Sequence, residues 1–240
     1  SSSFGAGSSG PVIYANVTAN SAAITTRYTT YNGTVNFAKS GTTNDASSGG
    51  NTFNNLVTIS SSGSGYFLFS NSTKDIFNAD VTVNNNGSSY IYLAYNDAAG
   101  TQFNGNVYAN TSGSANGILL GWGSGSAVFA SGKSISAGTT GVTSGILGLS
   151  RVTFPSDVNI VANGLQLKSC TFNGVATLEK NGTGNNGSYG GNVFNGVVNV
   201  RNSGTGYLLF ANNQRDIFNS TLNIYNTGNS YIYLAHNDAT

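Results

Sequence analysis

Residues 51–99 return at a fixed offset of 141 positions as residues 192–240, with 26 of 49 positions identical. The offset continues upstream without a gap. Tyr31-Asn32-Gly33 matches Phe172-Asn173-Gly174, Lys39 matches Lys180, Val17 matches Val158 and Arg27 matches Lys168. A repeat of this kind points to an architecture in which like segments lie against like segments. The chain holds one full unit, residues 12–152, and most of a second, 153–240, which read as one continuous domain over 1–240.

A finer period runs inside the long one. Phe53, Phe77, Phe103, Phe129, Phe154, Phe172, Phe194 and Phe218 each open a segment of the form F-x-x-x-V-x-V, at spacings of 24, 26, 26, 25, 18, 22 and 24. Ile13 and Tyr31 fill the same slot earlier, so six coils make one unit. Most coils carry a second short apolar run, as in Tyr66-Phe67-Leu68-Phe69, Tyr90-Ile91-Tyr92-Leu93 and Tyr207-Leu208-Leu209-Phe210. Alternation at period two between Gly, Asn and Ser clusters is a strand signal, and no segment shows a helical apolar face. A coil of about 24 residues cannot bury its apolar side alone, but stacking coils at the strand spacing of roughly 4.8 Å buries it as one column. The expected fold is all-β, a right-handed parallel β-helix (β-solenoid) of about ten coils and roughly 50 Å length; the hand follows from the preference of parallel crossovers.

The inward phase follows from which positions stay apolar. The second and fourth residues of the second run do so (Phe67/Phe69, Ile91/Leu93, Ile118/Leu120, Leu165/Leu167, Leu208/Phe210, Ile232/Leu234), while the first and third vary. Side chains alternate across a strand, so the first and third face outward. Tyr66 over Tyr90 and Tyr207 over Tyr231, with Tyr92 and Tyr233 beside them and Leu68 and Leu209 in the same column, form two aromatic-aliphatic patches separated by coils bearing Gly117, Gly145 and Gly164. Tyr offers a flat apolar ring with a polar tip, suited to sugar faces and protein surfaces. These six tyrosines are the candidate surface-binding residues. The coils opening at Tyr31 and Phe172 lack the second apolar run; residues 41–50 and 182–191 stand there instead and read as protruding loops beside the patches. Trp122 ends a second run and is expected to be exposed.

Other chemistry is sparse. Charged residues are 7% of the chain, its net charge is +1, and apolar residues make up 38%. That leaves no electrostatic footprint for nucleic acid, and no apolar run spans a bilayer. The apolar fraction supports a packed core rather than disorder. Among the acids, Asp45 becomes Asn186 and Asp80 becomes Thr221 in the second unit, whereas Asp75/Asp216 and Asp97/Asp238 return in turn sequences that favour Asp for local hydrogen bonding. No carboxylate groove for acid/base catalysis emerges, so no catalytic residue is assigned. His236, the lone histidine, is matched by Tyr95. No zinc spacing or Asp-rich calcium repeat exists, and no cofactor is expected; Asp45 and Asp97 mark the loops where oxygen donors for calcium are found. Cys170 has no disulfide partner in the chain and reads as a buried small hydrophobe. Asn54, Asn78, Asn104, Asn173, Asn195 and Asn219 follow the Phe column and are placed to bond as a ladder along the rod. A regular Thr array for ice is not supported, because the outward V-x-V sites mix Thr58, Thr82, Asn159, Asn199 and Asn223.

Low charge, Asn/Gly/Ser/Thr-rich coils, F-N-G-V-x-V strands and a long super-repeat give the chain its resemblance to the very large surface adhesins of Bacteroidota. Those are exported by the type IX system, and some serve gliding motility. The resemblance implies an extracellular stalk or fibre at the bacterial cell surface. The chain itself reads as an internal piece of a longer one and not as an enzyme, with polysaccharide or an abiotic or cell surface as expected partner and lateral self-association between rods. A carbohydrate-active β-helix enzyme or a phage-type fibre segment is the alternative.

Overall fold

The computed structural model describes every residue except 6, 8 and 237–240. Asp238, expected in a turn, lies outside the described residues. The described chain is all strand and turn, wound as a β-solenoid of ten coils. Every pairing between strands is parallel. No helix among the described residues is long and apolar enough to cross a membrane.

The leading-Phe segments form a ten-stranded sheet running from Val12–Ile13 to Ile217–Phe218 in coil order. The V-x-V segments form a longer sheet, from Val17–Ser21 to Leu222–Asn226. The second apolar runs make a third face, carried by Phe67–Leu68, Tyr90–Leu93 and Gly117–Leu120 and, in the second unit, by Leu208–Leu209 and Ile232–Tyr233. Two coils lack the corner between second and third faces. Ile135–Ser150 pairs with both Val107–Thr111 and Gly117–Leu120, and Val158–Lys168 follows it.

In-register pairing places Phe77 opposite Phe103 and Phe53 opposite Phe77. From Tyr31 to Phe218 the rings stack in one column, with centroids 4.7–5.1 Å apart and interplanar angles of 2–19°. The strand spacing sets that distance, and an offset ring stack accommodates it at low energy. Tyr31 keeps its place in the column by bonding its hydroxyl to Thr26 Oγ1 at 2.7 Å. Val57, Ile59, Val81 and Val83 close the core from the long sheet, and Phe67, Phe69, Ile91 and Leu93 from the third face, all buried. The Asn ladder is present and begins one coil earlier than expected. Asn54, Asn78 and Asn104 each donate from Nδ2 to Oδ1 of the preceding rung at 2.7 Å, with Asn32 as first acceptor. Asn195 and Asn219 do the same at 2.8 Å, starting from Asn173.

Residues 41–50 and 182–191 do not protrude. Asp45–Ala46 pairs with Phe67–Leu68, and Asn186–Gly187 pairs with Leu208–Leu209. The inward slots there are polar: Asp45, Ser47 and Asn51 are buried, as are Asn186, Ser188 and Asn192. Oxygens of Asp45, Ser47, Asn51, Ser188 and Asn192 accept main-chain N–H groups of the coil below, as from Ile24 N to Asp45 Oδ2 at 2.9 Å and from Thr26 N to Ser47 Oγ at 3.0 Å, whereas Asn186 Oδ1 is buried without a partner among the described residues. A buried polar group carries little penalty when paired in this way. The next corner turns through the left-handed region even without glycine, at Ser70 (φ 55°), Ala94 (φ 58°) and Ala211 (φ 49°). The cost of order 1–3 kcal/mol at each is borne because packing on both sides fixes the turn.

At that corner sits a buried carboxyl. Asp75 Oδ1 accepts Asn51 N and Nδ2, both at 2.8 Å, and Oδ2 accepts Ser70 Oγ at 2.6 Å. Asp216 repeats the arrangement with Asn192. Burial pushes the Asp75 carboxyl from 3.8 up to about 6, its hydrogen bonds pulling the other way and the nearby Asp97 adding to the rise.

Two outcomes are expected. Phe103→Ala opens a cavity in mid-column and lowers unfolding free energy by about 3–5 kcal/mol, read from denaturant midpoints; a loss under about 1 kcal/mol contradicts the continuous column. For Asp75, the folded state holds the proton more tightly than the unfolded one, so its stabilising effect is full below about pH 4 and is lost as pH rises through about 6. Against an Asp75→Asn variant, the wild type should lose up to about 3 kcal/mol over that window. A wild type that gains stability relative to the variant as pH rises would overturn the assignment.

Candidate functional site

The six expected tyrosines gather into two clusters, one per unit. Phe67 pairs with Ile91 and Leu68 with Tyr92, which sets Tyr66 beside Tyr90 on the outward side. Tyr92 is the hub: Tyr66 meets it edge-on at 5.9 Å, Tyr90 lies tilted at 5.6 Å, and Tyr95 packs edge-on at 5.0 Å. In the second unit Tyr233 is the hub, with Tyr207 and Tyr231 each at 5.7 Å and His236 edge-on at 5.6 Å, where Tyr95 stood before. His236 is thus an exposed aromatic neighbour. Desolvation pushes the Tyr92 hydroxyl up to about 12, so it stays a neutral donor.

The surroundings differ from expectation in three respects. Leu68 and Leu209 point outward yet are 3% and 4% exposed, covered rather than presented. The outward site paired with Gly117 is Ile146, not Gly145, because Gly145 takes a left-handed conformation inside the Ile135–Ser150 strand and shifts its register. Trp122 is half-buried. It meets Tyr189 edge-on at 5.9 Å, and Lys168 Nζ lies 5.5 Å from the same ring. This Trp122–Tyr189–Lys168 group lies between the clusters in chain order.

The remaining ionisable groups mostly serve the backbone. Asp97 accepts Ala99 N at 3.0 Å and Thr101 Oγ1 at 3.2 Å. Asp80 accepts Asn106 N, and Asp157 accepts Val175 N, each at 2.8 Å. Lys39 and Lys180 are buried at corresponding places, and each donates to two glycine carbonyls, Gly41 and Gly65 or Gly182 and Gly206. Desolvation lowers both ammonium pKa values, and Asp45 at 3.9 Å opposes this for Lys39. Their burial was readable in the strand phase, since Val35, Phe37 and Lys39 share one face. The Cys170 thiol is buried, pushed up to about 11 by desolvation, which makes it a poor nucleophile. Among the described residues no group of three or more His, Cys, Asp or Glu side chains gathers to hold a metal ion.

Concave surface also occurs on the outward face of the long sheet. Three shallow cavities occur there: one of about 370 Å³ at Tyr108 and Asn110, one of about 380 Å³ at Asp157 and Asn159, and one of about 490 Å³ at Arg201 and Tyr225. The latter two share Thr177. The sequence reading did not select this face. Comparison with protein-family models, with curated proteins and with solved structures finds no match, and the functional reading therefore stands on the geometry of this chain.

Proposed function

We propose that this chain is a stretch of a rigid extracellular rod in a bacterial surface adhesin of the Bacteroidota type, a spacer that also contacts surfaces through its tyrosine clusters. The observation that supports this most is the unbroken core. Coils stacked in register from Tyr31 to Phe218 share one ring column, so the rod resists bending along its length. The tyrosine clusters lie six coils apart, roughly 29 Å at the strand spacing, and their recurrence suits multivalent contact with polysaccharide or another extended surface. The near-neutral surface fits contact by aromatic and hydrogen-bonding groups rather than by ionic attraction.

A glycan array probed with the labelled chain and with its Tyr66/Tyr90/Tyr207/Tyr231→Ala variant tests the contact role. The expected result is at least one glycan bound by the wild type and at least tenfold more weakly by the variant, with the unfolding midpoint retained. An array on which no glycan loses binding in the variant, or on which neither form binds, would remove the contact role and leave only the spacer.

A further inference from the structure

The two units share a backbone, which makes the first a control for the second. On the long sheet, Glu179 pairs with Arg201 and Arg201 with Tyr225, so the three stand on successive coils in one outward column. One unit earlier the same column holds Ala38, Ser60 and Asn84, which pair in the same way. Stacking therefore does not require an acid, a guanidinium and an aromatic ring at these places. Nor does their ion pair add much to stability: Arg201 Nε lies 3.8 Å from Glu179 Oε1, with the arginine side chain half exposed.

These three residues, with Thr177, Asn199 and Thr227, line the cavity of about 490 Å³. That size lies within the range of small-molecule sites. Its polar groups are partly committed in a way that leaves one donor edge and one acceptor free. Ser203 Oγ donates to Glu179 Oε1, and Arg201 Nε donates to Thr227 Oγ1 at 3.4 Å. Among the described residues, Glu179 Oε2 and the terminal guanidinium nitrogens of Arg201 make no hydrogen bond.

We propose that this cavity is a saccharide-binding site for a neutral sugar with vicinal hydroxyls. One hydroxyl donates to Glu179 Oε2 while its neighbour accepts from Arg201. The Tyr225 ring offers an apolar platform for the pyranose face, and Thr177 and Asn199 supply further hydroxyl and amide contacts. The carboxylate and guanidinium cancel in charge. An acidic sugar could pair with Arg201 only beside the Glu179 carboxylate, whose repulsion offsets that attraction, so the site has no net charge to favour it. The site lies on a different face of the coil from the tyrosine clusters and does not depend on their role.

The test is isothermal titration of the 240-residue chain with neutral β-1,4-linked gluco-, manno- and xylo-oligosaccharides, and with oligogalacturonate as the acidic comparison. At least one neutral oligosaccharide should bind and oligogalacturonate should not. The E179A/R201S/Y225N variant carries the side chains that the first unit tolerates, so it should fold with an unchanged midpoint and bind at least tenfold more weakly. The reciprocal A38E/S60R/N84Y variant should gain a second site, read as doubled stoichiometry. The tyrosine-cluster variant should keep the neutral-sugar binding. No binding by any neutral oligosaccharide, a preference for oligogalacturonate, or unchanged binding in the E179A/R201S/Y225N variant would overturn the proposal.

Discussion

Parallel hydrogen bonding between successive coils is the constraint on which the rest of this molecule depends. A parallel strand pair repeats at the strand spacing, so whatever one coil places inward the next must match within about 5 Å. Phenylalanine satisfies this by stacking, as at Phe53 and Phe77 with centroids 4.7 Å apart. Asparagine satisfies it on the surface by passing one amide bond per rung, as from Asn78 to Asn54. The same rule lets a chain with few charges hold together without a disulfide, since each coil covers the apolar edge of the one below. It also explains why the outward residues are free to vary. Ala38 and Glu179 occupy equivalent strand positions with the same pairing on one side.

The interior is not purely apolar. Several of its polar residues bond main-chain groups that lack a strand partner on that side. Asp45 and Ser47 take N–H groups of Ile24 and Thr26, and Lys39 and Lys180 cover carbonyls at glycine-rich corners. Asn85 Nδ2 does the same for the carbonyls of Ser89 and Gly117, both at 2.8 Å. Removing such a side chain would leave buried backbone groups unpaired, which costs more than the hydrogen bond itself contributes. The second unit keeps the lysine while replacing Asp45 by Asn186, so the lysine's tie to the carbonyls outlasts its ion pair.

Much of this was legible in the residues. The Phe spacing located every coil, the V-x-V alternation set the inward phase of the long sheet, and the apolar second and fourth positions set that of the third face. The Asn ladder followed from one amide per coil. What escaped has a common cause: a polar residue is read as outward unless its partner is known, and that partner lies in another coil. Residues 41–50 looked like a loop because Asp45, Ser47 and Asn51 are polar, although their bonds are to Ile24, Thr26, Thr29 and Asp75. The six tyrosines meet in two clusters, but Tyr66, Tyr90, Tyr92 and Tyr207 are half-buried, and the cover over Leu68 and Leu209 was not foreseen. Nor was the meeting of Trp122 with Tyr189, 67 positions along the chain. Glu179, Arg201 and Tyr225 are 22 and 24 positions apart and become a site only once register is known.

The stacking itself is most directly tested by a spin–spin distance. Thr58 and Asn199 are outward residues of the long sheet, equivalent in the two units. Spin labels at Thr58→Cys and Asn199→Cys, with Cys170 replaced by Ala, should report one narrow distribution centred near six strand spacings, about 29 Å, broadened only by the label tethers. A centre beyond about 40 Å, or a broad distribution under folding conditions, would contradict coils piled one strand spacing apart.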